Sequence, residues 1–297
     1  MSRLLDILGT KYPIIQGPIG ELNDPKMVAA VSEAGGLGML ALGFVQDVEK
    51  VRQMVAEVKK RTSKPFGANL MIAMNPQNEA ILDVLAEAGV RTVTTSAGSP
   101  GKIYPRIKKL GMKGLHVTLA APLAQKAVEA GADGVVVSGA ESGGLRTTGP
   151  ESTNLILVPL VCDMVDVPVV AAGGIADRRG YRAALALGAE GVQLGTAFLA
   201  STESPAPQAW KEAIIGCGDG GTTLLPLGNM TMRTIINPKL RQLIAAGTDL
   251  TREYNMGNAG KAWRGGDFDL FPAGGGQCSA LIREIKPVRS IIEEMVS

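Results

Sequence analysis

Short apolar runs and longer amphipathic stretches take turns along the first two thirds of the chain. The runs span 12–17 (YPIIQG), 36–42 (GLGMLAL), 66–71 (FGANLM), 91–98 (RTVTTSAG), 114–120 (GLHVTLA), 134–139 (GVVVSG), 168–174 (PVVAAGG) and 191–196 (GVQLGT). Stretches with helical spacing follow nearly all of them, such as QDVEKVRQMVAEVKKRT at 46–62 and NEAILDVLAEAG at 78–89. Strand-length apolar runs alternating with amphipathic helices predict βαβ units and a parallel sheet. Several helical stretches end on an AG or LG pair (33–36, 87–90, 129–133, 186–190), where glycine supplies the left-handed residue that stops a helix. Eight units complete by residue 200 predict a (β/α)8 TIM barrel, with a doubly wound open sheet as the structural alternative. The rhythm breaks after Pro205. Residues 205–276 contain GCGDGGTT and AGKAWRGGDF and read as an inserted cap or lid, not an independent domain. The barrel is then expected from 1–204 plus 277–297, the latter holding a last helix in PVRSIIEEMVS.

Composition narrows this picture. Hydrophobic content of 45% with only 4% aromatics predicts a core of small aliphatic side chains, which suits closely packed β/α layers. A net charge of +2 without a basic block gives no sign of nucleic-acid binding. Cys162, Cys217 and Cys278 stand far apart, so neither a disulfide framework nor a metal site is expected. No apolar stretch reaches membrane-spanning length and the first residues lack the apolar stretch of a signal peptide, so a soluble cytoplasmic protein without a membrane partner is expected.

The candidate chemistry lies in two glycine tips. Ala172, Gly173 and Gly174 end the seventh expected strand; Gly195 and Thr196 end the eighth. In barrels of this type a phosphate group commonly sits on the loops after strands seven and eight, where glycine lets backbone N–H groups approach an oxyanion. One glycine pair is more often only a tight turn, but two tips on consecutive strands favour phosphate. A second cluster, VVSGAESGGLRTTG, follows strand six and adds Ser138, Gly143 and Gly144 on the neighbouring side. A flat phosphorylated cofactor over the barrel mouth points to flavin mononucleotide (FMN), although a sugar phosphate fits the tips as well. Valine at Gly174 or Gly195 is expected to block phosphate without unfolding the barrel.

The segments YPIIQGPIG, SEAGGLGML, PFGANLM, GADGVVVSGAESGG, PVVAAGGIADRRG, GVQLGTAFLA and FPAGGGQCSALIREIKPVRSIIEEMV occur in the order seen in the nitronate monooxygenase family. The chain resembles that family, which also contains flavin-type enoyl-acyl carrier protein reductases, from Gly9 to Val296. The resemblance implies a barrel binding FMN, with Gly17, Pro18 and Ile19 along the ring and Asn69 hydrogen-bonded to ring or ribityl chain. It places Ser138, Gly143 and Gly144 beside the ribityl and phosphate, and Gly173, Gly174, Gly195 and Thr196 around the phosphate. Gln193 falls near the pyrimidine side. A homodimer is compatible with the resemblance.

One position departs from the family. The loop after strand six usually carries GGH, and this chain has Leu145 there. Imidazole moves protons near neutral pH and leucine does not. The chain's only histidine, His116, falls in the fifth strand, where it either faces the flavin or packs in the core. Arg146 either meets an anionic substrate or faces solvent, and Glu141 reads as ordering the loop. Lys261, Trp263 and Arg264 read either as a site for a phosphate-bearing tail such as that of coenzyme A or as a basic loop with one anchoring tryptophan. The expected function is NAD(P)H-dependent reduction of an activated double bond, as in an enoyl thioester, or of a quinone-like acceptor. Nitronate oxidation with O2 is the alternative within the family. A flavin-free sugar-phosphate lyase or isomerase and a non-catalytic flavin-binding protein are the rivals outside it.

Overall fold

The computed structural model describes residues 2–149 and 151–297. Eight parallel strands make the barrel wall: β1 (Ile14–Gln16), β2 (Gly38–Ala41), β3 (Phe66–Met71), β4 (Thr92–Ser96), β5 (Lys113–Thr118), β6 (Gly134–Ser138), β8 (Val169–Ala172) and β9 (Gly191–Leu194). Three further strands, β7 (Gly144–Thr147), β10 (Thr222–Leu227) and β11 (Met230–Ile235), form a separate antiparallel sheet. The wall runs in the order β1-β9-β8-β6-β5-β4-β3-β2 and closes where β1 meets β2. There Gln16 N–H donates to Leu37 O at 2.9 Å and Leu37 N–H donates to Ile14 O at 2.8 Å. The fold is a (β/α)8 TIM barrel.

Side chains alternate across each strand, so parity sorts them into two layers. Ile15, Met39, Leu115, Val136, Val170 and Ala172 fill the interior together with Leu4 and Leu8 of helix Arg3–Leu8. Their strand neighbours Ile14, Leu40, Val135, Val137, Ala171 and Val192 face the surrounding helices in a larger apolar layer. The helix stops fall where the AG and LG pairs put them: Gly131 and Gly188 have φ of 100° and 102°. After β9 the chain makes a short helix, Thr196–Leu199, and leaves the barrel. It returns as helix Val288–Val296, which packs against helices Arg178–Ala186 and Pro25–Glu33 and so completes the helical ring.

Residues 208–265 fold into helices Gln208–Ile215, Pro238–Ala245, Leu250–Glu253 and Met256–Gly265 around the hairpin β10–β11. Strand β7, from the loop after β6, adds to this hairpin by pairing with β11, Leu145 opposite Met232. The glycine-rich loop after strand six is thus partly a strand, and its partner lies more than eighty residues further on. Trp210 packs against Trp263 and Phe268, with ring centroids 5.3 and 5.8 Å away. A cluster holding Trp210 reaches Leu199 and Ala200 at the end of β9's helix and Ile19 at the barrel mouth.

Candidate active site

Strands β8 and β9 are neighbours in register, Ala172 opposite Gln193, so their C-terminal tips lie side by side. Gly173 and Gly174 both adopt left-handed backbone, with φ of 95° and 74°. Both are packed from the side of the β6 loop. A Cβ on Gly173 would fall 2.1 Å from Ser142 Oγ, and one on Gly174 would fall 2.8 Å from Glu141 Cγ. The other tip is open: a Cβ on Gly195 would meet no atom within 4 Å. That open backbone at a strand end is a cradle a phosphate oxygen can enter. Gly17 joins the same corner, its N–H donating to Leu194 O at 2.7 Å.

Hydrogen bonds tie the β6 loop to these tips. Ser138 Oγ donates to Ser142 Oγ at 2.8 Å, and Ser142 Oγ donates to Ala172 O at 3.1 Å. Asn154, first residue of helix Asn154–Cys162, donates through Nδ2 to Ala172 O (2.8 Å) and Gly173 O (2.7 Å). The Glu141 carboxylate accepts the Asn154 N–H at 3.0 Å, placing an anion at a helix N-terminus and ordering the loop. Gly276 closes the ring: its N–H donates to Thr196 Oγ1 at 3.0 Å, and the next N–H, of Gln277, donates to Glu141 O at 2.9 Å. The sequence pattern alone does not point to Ser142 or Asn154, whereas the GGG of FPAGGGQC is a signal for Gly276.

On the inner wall, Asn69 is buried and donates from Nδ2 to Thr94 Oγ1 at 2.9 Å. Gln193 also faces inward, because Val192 and Leu194 beside it belong to the outer layer. Its Oε1 is buried without a donor. An unmet buried acceptor costs about 1–3 kcal/mol, so this atom fits a ligand N–H. Gln16, Gly17, Ile19, Met39, Ala41 and Phe198 line a crevice at the β1 side of the mouth, where the resemblance lays the ring. The open tip and the orphaned amide both suit FMN.

The proton-moving candidates are placed elsewhere. Leu145 is half-buried and packs with the apolar cluster of Leu225, Met232 and Phe271. Arg146 neither faces solvent nor stands open to an anion. It is 2% exposed, and its Nε donates to both oxygens of Glu151 at 2.7 and 2.9 Å. A second buried guanidinium, Arg233 on β11, was missed in the sequence because its environment is made by the β7–β11 pairing. Arg233 Nη2 donates to Ala140 O at 2.9 Å, and burial together with the Arg146 charge lowers its basicity. Trp263 is an anchor of the helical segment, its Nε1 donating to Pro272 O at 3.0 Å; Lys261 and Arg264 lie exposed on the same helix.

His116 lies on the outer face of β5, since Leu115 beside it fills the interior. Its Nδ1 is 2.8 Å from Thr95 Oγ1, which is also 3.0 Å from the Tyr104 hydroxyl, and the Tyr104 ring stands edge-on to the imidazole. Burial lowers the His116 pKa from 6.5 to about 4. The folded chain therefore keeps the ring neutral over a range in which the unfolded chain protonates it. Stability is fully present above pH 6.5 and falls as pH drops toward 4, by roughly 3 kcal/mol from this group alone. Urea midpoints across that range are expected to fall in the wild type and to fall less in His116→Gln; parallel slopes would refute the assignment.

A family model described as nitronate monooxygenase matches residues 1–297. The (3aS,4S,5R,7aS)-5-hydroxy-7a-methyl-1-oxo-octahydro-1H-indene-4-carboxyl-CoA dehydrogenase of Rhodococcus jostii is 38% identical over 223 residues, which is 75% of this chain and 62% of that protein. The chain thus spans somewhat less than two thirds of that relative's length. Among solved structures, FabK from Thermotoga maritima is 36% identical, covers 100% of this chain and 95% of its own, and superposes with a TM-score of 0.89. Nitroalkane oxidase from Streptomyces ansochromogenes is 28% identical, with 99% and 97% covered and a TM-score of 0.83. Paired glycine tips over a closed eightfold wall, matched along the whole chain by one family model, lead to a single assignment: the chain belongs to the nitronate monooxygenase family.

Proposed function

We propose that the chain is an FMN-dependent oxidoreductase that takes reducing equivalents from NADH or NADPH and reduces an activated double bond, an enoyl thioester first and a quinone-like acceptor next. The observation that carries this reading is that, among the described residues, the β6 loop presents no free base. Leu145 stands at the family's histidine position, Glu141 caps a helix, Glu151 is paired with Arg146, and His116 lies on the far side of the wall. Hydride exchange needs no such base.

The chain's own residues hold and shield the cofactor. Backbone N–H groups at Gly195 and Thr196, with the tips Gly173 and Gly174 beside them, hold the phosphate. Gly17, Pro18 and Ile19 run along the ring, and Asn69 and Gln193 supply polar contacts to it. Ser138, Gly143 and Gly144 flank the ribityl side. Residues 205–276 act as the cap, and their tryptophan cluster keeps water from the mouth. Bound FMN supplies the hydride chemistry between nucleotide and acceptor.

Two relatives support a thioester: the Rhodococcus enzyme is named for a carboxyl-CoA compound, and FabK is an enoyl-acyl carrier protein reductase. Nitronate oxidation is the second reading, supported by the family description and by the Streptomyces enzyme. The purified protein is expected to be yellow and to release FMN on denaturation. A 2-enoyl thioester is expected to speed its oxidation of NADH or NADPH under argon. A colourless protein that takes up no added FMN would remove this reading and favour a flavin-free sugar-phosphate barrel.

A further inference from the structure

The segment that follows the barrel holds a hollow of about 260 Å³, and every residue lining it falls within 213–273. No wall strand and no part of the β6 loop contributes to it, so it is distinct from the barrel mouth. Its sides are the last turn of helix Gln208–Ile215, the end of β11 and the first turn of helix Pro238–Ala245. Cys217, Ile235 and Ala273 are buried in the Trp210 cluster and give it an apolar floor, with half-buried Phe268 beside them. At about 30 Å³ per molecule the hollow holds about eight waters, far more than close-packed side chains ordinarily leave among themselves.

The rim carries one cation. Arg241 stands in the first turn of helix Pro238–Ala245, its N–H bonded to Asn237 O at 3.0 Å. Helical side chains lean toward the N-terminus, which brings this one back toward Asn237 and the hollow it lines. Arg241 is exposed, and among the described residues none accepts from its guanidinium. The Asn237 amide is committed: its Oδ1 accepts the Leu240 N–H at 2.7 Å, and its Nδ2 donates to Phe268 O at 2.6 Å and to Asp269 Oδ1 at 3.3 Å. Asp219, in the exposed loop 218–220, makes no ion pair with Arg241.

We infer that this hollow is a binding site for a small carboxylate with an apolar, ring-sized body. The body lies on Cys217, Ile235 and Phe268, and the carboxylate meets Arg241, whose planar fork matches two oxygens. The positive end of helix Pro238–Ala245 favours the same charge. Size sets the class. Ligand pockets commonly run upward from about 300 Å³, with apolar walls and few polar groups, so this one suits roughly ten heavy atoms and is too small for a nucleotide.

Phenylacetate is the probe, and phenylacetamide is its neutral counterpart. Calorimetric titration of the full-length protein in the presence of FMN is expected to give a Kd below about 1 mM for phenylacetate. Phenylacetamide is expected to bind at least about 10-fold more weakly. Arg241→Gln changes one exposed side chain and is expected to reduce phenylacetate to the affinity of the amide, which itself is unchanged. Ala213→Phe places a ring in the hollow and is expected to abolish binding of both. Arg241→Gln and the amide leave the fold untouched and decide the matter whether or not Ala213→Phe folds. No binding of phenylacetate up to about 10 mM would overturn the proposal. Equal affinity for acid and amide would overturn it as well. So would phenylacetate binding that Arg241→Gln leaves unchanged, which would place the probe elsewhere, such as the barrel mouth.

Discussion

Gly195→Val is expected to fold normally and to bind FMN at least about 100-fold more weakly than the wild type, the loss of two or more charge-assisted hydrogen bonds at roughly 1.5–3 kcal/mol each. The backbone there has φ of −103°, open to any residue, and an added Cβ has no protein neighbour within 4 Å. Valine would instead occupy the space that a phosphate needs. Riboflavin, which has no phosphate, is expected to bind variant and wild type alike. Gly174→Val makes the contrast, and here the structure corrects the expectation that both glycines are equivalent. Gly174 has φ of 74° and an added Cβ would press on Glu141, the carboxylate that caps helix Asn154–Cys162. A β-branched residue in left-handed backbone costs about 1–3 kcal/mol before that displacement is counted. Gly174→Val is therefore expected to lower the melting temperature, whereas Gly195→Val is not. Fluorescence titration with FMN and riboflavin, read beside thermal melts, checks both. Unchanged FMN binding in Gly195→Val would move the phosphate off this tip.

The second large effect concerns neutral nitroalkanes. Deprotonating a nitroalkane needs a base at the reacting face, and a positioned general base contributes about 10²–10⁴-fold. The groups near the β6 loop are committed to other partners: Arg146 to Glu151, Glu141 to the Asn154 N–H. Oxygen uptake with a neutral nitroalkane is thus expected to be slower by that factor than uptake with the same compound preformed as its nitronate. Near-equal rates would mean that a base has been overlooked.

The eight wall strands could be read from the chain because each is a local event, a short apolar run, in several cases after an AG or LG stop and nearly always before a helix of regular period. The glycine tips on β8 and β9 followed from the strand count. Strand β7 could not be read this way. Its four residues alternate weakly, and its partner β11 lies more than eighty residues further along the chain. With it went the environment of Arg146 and Arg233, whose burial depends on that pairing. The Gly228–Asn229 pair between LLPL and MTMRTI did carry a hairpin signal in the sequence, and β10 and β11 meet at it. His116 shows the limit of strand-level reading: inward or outward is a matter of one residue in register, settled by Leu115 filling the interior beside it.

The proposed function has this chain accept hydride from a nicotinamide nucleotide without deprotonating its substrate. Anaerobic stopped-flow mixing of the FMN-loaded wild type with NADH, NADPH or a neutral nitroalkane, followed at the flavin absorbance, tests it most directly. Rapid bleaching by at least one nucleotide and little by the nitroalkane are expected. Rapid bleaching by the nitroalkane with none by either nucleotide would contradict it.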